Sequence, residues 1–259
     1  MKTTMSMFYN NANCDIYIGK GAGKKLMEDI QNARKSIKII SPFLSPFLIK
    51  ELIDLRSKGL EIQLITMDSI EDYKDSSTKN IYQLIRQHRE VNEAARLKRN
   101  KWKKAARILL SGILFITVFT IVLFLYMNDI RMLAGIIPAI IMLFVFFRLI
   151  KKIRTQRIYY YSYSRLFPFK VCISPDKHPG SNMYIHGKVY IIDDSIVYLG
   201  SLNFTASGTR YNYETRVRTT HAETVKRISD EFYDLFHNSH IPEVDIHTWG
   251  RSLYPEPIN

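Results

Sequence analysis

Cysteine is almost missing from this chain of 259 residues, where Cys14 and Cys172 are the only two. That excludes a disulfide-stapled scaffold and a Cys-rich zinc module. Acidic residues are scarce in one stretch only. Residues 86–157 hold 15 Lys/Arg and 3 Asp/Glu, whereas the rest of the chain holds 22 and 21. The net charge of +13 is thus the property of one segment, which weakens a reading as a general polyanion binder. Glycine and proline are absent from residues 79–107, a polar stretch that reads as a long helical stalk. The N-terminal MKTTMSMFYNNANCD has no apolar run of the secretion-signal kind.

What the chain does have is two long apolar runs. Ile108–Met127 is twenty residues without a charge, and Met132–Phe147 extends to Ile150 across Arg148. A helix of about twenty residues spans a hydrocarbon layer of roughly 30 Å. The alternative is a helical hairpin buried in a soluble core. Lys98, Arg99, Lys101, Lys103, Lys104 and Arg107 precede the first run, and Arg148, Lys151, Lys152, Arg154 and Arg157 close the second. Only residues 128–131 connect the runs. Basic flanks stay on the cytoplasmic side, so we expect two spans, both termini in the cytoplasm and the short turn on the far side. Trp102 and Tyr126 fall near the ends of the first span, and Pro138 is positioned to kink the second. The basic flanks suit anionic headgroups of the bilayer.

On either side the chain reads as α/β. Strands are expected at 15–18, 36–40 and 61–67, alternating with helices at 24–35 and 46–58. Ser45-Pro46 opens the second helix and Gly59 ends it. GKGAGKK does not have the spacing of a phosphate loop and reads as a tight turn. The second arm offers strands at 169–174, 188–193, 196–199 and 213–218, a hairpin turn at 193–195, and a closing helix at 222–236. Tyr159–Ser164 is either a stalk interface or the entry to a strand. The domain organisation is one domain split by an insertion: a first half at 1–78, a basic stalk at 79–107, spans at 108–127 and 132–150, a return stalk at 151–165, a second half at 166–240 and an irregular tail at 241–259.

Chemistry concentrates in IHGKVYIIDDSIVYLGSLNFTASGTRYNYE, residues 185–214. His186, Lys188 and Asp193 form His-x-Lys-x4-Asp, Gly200-Ser201-Leu202-Asn203 follows, and Glu214 lies beyond. Strand alternation puts His186, Lys188 and Tyr190 on one face. An imidazole and an ammonium there converge on one phosphate, with Asn203 and Ser201 adding donors.

This arrangement resembles the phospholipase D superfamily, whose signature is His-x-Lys-x4-Asp followed by Gly-Ser/Gly-x-Asn. The first arm, with SPFL at 41–44, is similar to that superfamily's first half. The likeness leaves out the apolar hairpin and the tail. It implies a mixed sheet flanked by helices, interrupted here by a two-helix transmembrane hairpin on a stalk. It also implies a hydrolase in which His186 attacks phosphorus to give a phosphohistidine. Lys188 and Asn203 then hold the non-bridging oxygens, Ser201 assists, and Glu214 orients the imidazole. Asp193 and Gly200 belong to the motif, Asp193 as a structural member. No metal and no cofactor are implied.

There is one motif only: His88, His178, His221, His237, His240 and His247 all lack a Lys two residues on. Single-motif members of the superfamily join two copies at one centre, so a homodimer with the active site on the two-fold axis is expected. The favoured substrate is a phospholipid. The alternatives are a metal-independent endonuclease acting on DNA or RNA and a catalytically inert membrane scaffold.

Overall fold

The computed structural model describes residues 13–68, 84–177 and 183–259. The first half of the chain runs β1 (Asp15–Lys20), α1 (Gly23–Gln31), β2 (Ser36–Ile40), α2 (Pro46–Ser57), β3 (Glu61–Met67), β4 (Ile85–Val91), α3 (Glu93–Met127) and α4 (Ile136–Thr155). The second runs β5 (Tyr159–Arg165), β6 (Phe169–Cys172), β7 (Val189–Ile192), β8 (Ile196–Gly200), α5 (Ala206–Arg210), β9 (Tyr213–Thr219), α6 (Ala222–His237) and α7 (Ile246–Leu253). Two compact units result: Met1–Arg86 with Tyr163–Leu253, and Gln87–Ser162 with Tyr254–Asn259.

The first unit is a mixed seven-stranded sheet in the order β1-β9-β8-β7-β2-β3-β6. β2, β3 and β6 run parallel, and β7, β8, β9 and β1 add to β2 by successive antiparallel pairings. SIKII and EIQLITM are nearly continuous apolar runs, which suits central strands covered on both faces. The crossover between them is α2. Ser45 is extended before it, Pro46 starts it, and Gly59 at φ +98° turns the chain out of it, as the sequence indicates.

Alternation along β8 sends neighbours to opposite layers. Val197 joins Ile40, Ile65, Met67 and Ile191 beneath Val225, Ile228 and Phe232 of α6. Tyr198 points the other way and donates to Asp29 of α1 at 2.5 Å. Asp29 also pairs with Lys25 at 2.8 Å and Arg218 at 3.1 Å. Burial opposes its charge, but these hydrogen bonds outweigh it and hold the carboxyl below its ordinary value.

The second unit carries the apolar runs. α3 is one continuous helix of 35 residues, opened by the Asn92 side chain, which accepts from Ala95 N at 3.0 Å. Asn128, left-handed at φ 51°, ends it. Asp129 then accepts from Arg131 N at 2.9 Å and opens a 3-10 turn over Ile130–Gly135. α4 packs back along α3 where side chains are small: a Cβ on Gly135 would lie 2.8 Å from the Thr120 hydroxyl. Both helices are long and apolar enough to cross a membrane, with only 6% of each apolar stretch buried. A soluble core hairpin would be buried instead.

Four expectations change. Residues 85–91 form strand β4 rather than stalk helix, because Tyr159–Arg165 is a strand that pairs with them. The return stalk thus stops at Thr155. Pro138 lies in the first turn of α4, where its missing N–H removes no helical bond, so it does not kink a span. The tail is not all irregular: Asp245 caps Thr248 N at 2.8 Å, and α7 buries Trp249. Residues 79–83 of the expected stalk and His178 lie outside the described residues.

Candidate functional site

The site is built at one end of the first unit's sheet. β7 runs antiparallel to β2, with Val189 opposite Ile40, so the residues before Val189 lie beside those that follow Ile40. Lys188 and Tyr190 are both buried, at 6% and 2% exposure, as alternation predicts. His186 precedes the strand and is exposed. Lys188 Nζ lies 3.1 Å from Nδ1 and 3.2 Å from Nε2 of His186, and donates to the His186 carbonyl at 2.7 Å. The structure thus brings together the imidazole and ammonium that the spacing indicates. Burial lowers the Lys188 pKa, and Glu214 offsets part of that shift.

Glycine is required at position 200 by a close backbone approach. A Cβ there would sit 2.0 Å from the Thr215 carbonyl oxygen. With no side chain in the way, Ser201 N donates to that oxygen at 3.1 Å, and Thr215 N donates to Ser201 Oγ at 3.0 Å. The Ser201 hydroxyl in turn donates to Glu214. Asn212 Nδ2 donates to the other Glu214 oxygen at 3.1 Å. Within one chain the Glu214 carboxylate, 8% exposed, is engaged by Ser201 and Asn212.

Asn203 is half-buried, and its Oδ1 is buried without a partner. Its neighbours are firmly pinned. Tyr190 OH donates to Leu202 O at 2.7 Å, Phe204 N donates to Ser41 Oγ at 2.9 Å, and Ser45 N donates to Phe204 O at 3.1 Å. The SPFL stretch of the first arm thus holds the loop that presents Ser201 and Asn203.

Asp193 sits in the β7–β8 turn at φ 53°. Its carboxylate accepts from the backbone N–H groups of Lys35 (2.7 Å), Arg34 (2.9 Å) and Ser36 (3.0 Å). Burial opposes the charge, and these three bonds outweigh it, holding the carboxyl below its ordinary value. The motif aspartate therefore ties the β7–β8 hairpin to the start of β2, a structural task.

Sequence reasoning missed Asn212, Ser41 and Tyr190 OH. Asn212 had a signal, a side chain two residues before Glu214 at a strand start. Ser41 was marked only as part of SPFL, and nothing local indicates its partner 163 positions away. Among the described residues, no contact joins a second histidine to His186. His221 bonds Thr224 at 2.9 Å, His237 packs on Tyr233 and His247 meets Tyr163 edge-on. No group of three or more His, Cys, Asp or Glu residues suited to a metal ion occurs among the described residues.

In solved structures the chain is similar to NucT from Helicobacter pylori, at 18% identity and a TM-score of 0.44, covering 86% of this chain and 95% of that one. It is similar to Nuc, a phospholipase D family member from Salmonella typhimurium, at 13% identity and a TM-score of 0.43, covering 90% and 99%. Phosphatidylserine synthase from Haemophilus influenzae Rd KW20 gives 13% and 0.43, covering 95% of this chain and 43% of that one. No curated protein matches it in sequence. The family described as cardiolipin synthase, PLD-like domain, matches over residues 26–106 and 148–236 and passes over the residues between. Most of both arms and the single His-x-Lys motif fall inside that match, and the chain belongs to this phospholipase D-like family.

Proposed function

We propose that this chain is a membrane-anchored phosphodiesterase that cleaves phospholipids through a phosphohistidine. The observation that carries the reading is the convergence of an exposed imidazole, a buried ammonium and the Ser201–Glu214 pair at one end of the sheet.

His186 supplies the ring nitrogen that attacks phosphorus, and the P–O bond to the leaving alcohol breaks as the P–N bond forms. The Lys188 ammonium and the Asn203 amide stabilise the charge on the non-bridging oxygens. The buried, unpartnered Asn203 Oδ1 supports a role for this side chain beyond packing. Glu214, fixed by Ser201 and Asn212, lies close enough to Lys188 to favour its charge. A second imidazole protonates the leaving alkoxide and then activates the acceptor hydroxyl. That imidazole is His186 of a second copy, in a homodimer whose two-fold axis passes through the centre.

Three features support lipid as substrate. The same chain carries two helices of membrane-spanning length and apolarity. Outside the basic segment the two charge signs nearly balance, where a nucleic-acid groove would be basic. The description of the matching family names a lipid synthase, which makes an alcohol as well as water an acceptor to test. Basic flanks stay on the cytoplasmic side of a membrane, which supports both arms lying in the cytoplasm. One observation favours nucleic acid: the run Lys98–Arg107 at the start of α3 could grip a polyanion.

The test is incubation of the purified protein with labelled phospholipids and with single- and double-stranded DNA and RNA, in chelator. Release of a phospholipid headgroup is expected. Cut nucleic acid with lipid untouched reverses the ranking, and no turnover of either leaves an inert scaffold.

A further inference from the structure

We propose that the foot of the apolar hairpin is a binding site for one anionic phospholipid of the surrounding bilayer, built from hairpin residues alone. This rests on the reading of α3 and α4 as membrane spans. A groove of about 420 Å³ lies between the two helices where the basic flanks meet the apolar runs. On α3 it is lined by Lys103, Ala106, Arg107 and Leu110, which share one side at helical spacing. Across from them stand Phe146 and Ile150 of α4. Ala106 is 5% exposed, and its small side chain leaves the depression open between the bulkier walls. The apolar walls suit an acyl chain, and the two cations at the rim suit its phosphate.

The charges select the headgroup. Arg99 is already spent on the Ile153 carbonyl and the Asn259 side chain, and Lys98 and Lys152 lie over the Trp102 ring. Lys103 and Arg107 have no ion pair among the described residues. Glu93 is the only acidic residue of α3, and α4 has none. Glu93 apart, the side chains of the two helices offer a zwitterionic headgroup no carboxylate for its ammonium. A headgroup of net negative charge meets two uncompensated cations, each contributing to anionic lipid binding near a membrane surface.

The test uses the full chain in nanodiscs of phosphatidylcholine with phosphatidylglycerol, followed by native mass spectrometry of the lipid retained after mild detergent release. The wild type is expected to keep one phosphatidylglycerol in preference to phosphatidylcholine. The double variant Lys103→Ala/Arg107→Ala should lose that preference roughly 30-fold, the effect of two cations near the surface. Ala106→Leu should also lose the lipid by filling the groove while both charges stay. Equal retention of the two lipids by the wild type, or undiminished phosphatidylglycerol on both variants, overturns the site and leaves the spans standing. Release of the wild type from membranes by alkaline carbonate overturns the span reading and this site with it.

Discussion

Lys188 Nζ lies 3.1 Å from Nδ1 of His186 and is buried, while the His186 ring is open to solvent. In the proposed reaction this pair offers a nucleophile to substrate with a fixed cation behind it. His186→Ala should lower turnover by about 10³-fold or more, and Lys188→Ala by about 10²-fold or more. Thermal melts of the His186 variant should stay close to the wild type, because the residue is exposed. Activity surviving in His186→Ala would remove it from the reaction.

Burial lowers the Lys188 pKa below the ordinary lysine value of 10.5. The ammonium form is the one that holds phosphate oxygens, so activity should fall as pH rises through this lowered value. Lys188→Arg, which stays charged at high pH, should move the alkaline limb upward in whatever activity it retains. A pH–rate profile of both proteins checks this, and coincident limbs would assign the titration to another group.

Asp193 carries a carboxyl held below its ordinary value by three backbone N–H groups. A carboxylate of this kind adds stability above its unfolded pKa, and loses it as pH falls through the lower folded one. Asp193→Asn should cost about 1–2 kcal/mol at neutral pH, and the deficit should shrink in acid. Asparagine tolerates the left-handed backbone at this turn, so the change isolates the charge. Denaturant titrations at pH 7 and below pH 4 measure both effects, and a deficit that is constant with pH would contradict the assignment.

Gly200→Ala puts a methyl 2.0 Å from the Thr215 carbonyl oxygen. β8 and β9 must separate there, which should cost about 2–4 kcal/mol and take Ser201 away from Glu214. The expected result is a lowered melting temperature and activity well below wild type. A wild-type melting temperature would show that the two strands do not meet so closely.

Much of this was legible in the residues. SIKII and EIQLITM read as strands from their β-branched residues, and His-x-Lys-x4-Asp marked the candidate centre through its spacing. What escaped was non-local. IRQHREV becomes β4 only because Tyr159–Arg165 arrives beside it from far along the chain. The Ser201–Glu214 bond depends on a backbone approach that glycine permits but spacing does not announce. The role of Ser41 depends on Phe204, which no window along the sequence contains.

The central claim is that one reaction centre needs His186 from two copies of the chain. Wild-type and His186→Ala subunits, distinguished by tag and co-expressed in known ratios, test it by activity per total protein. If both imidazoles act at one phosphorus, activity falls as the square of the wild-type fraction, to about one quarter in an equal, random mixture. Activity that falls in simple proportion, to about one half, would mean that each subunit works alone.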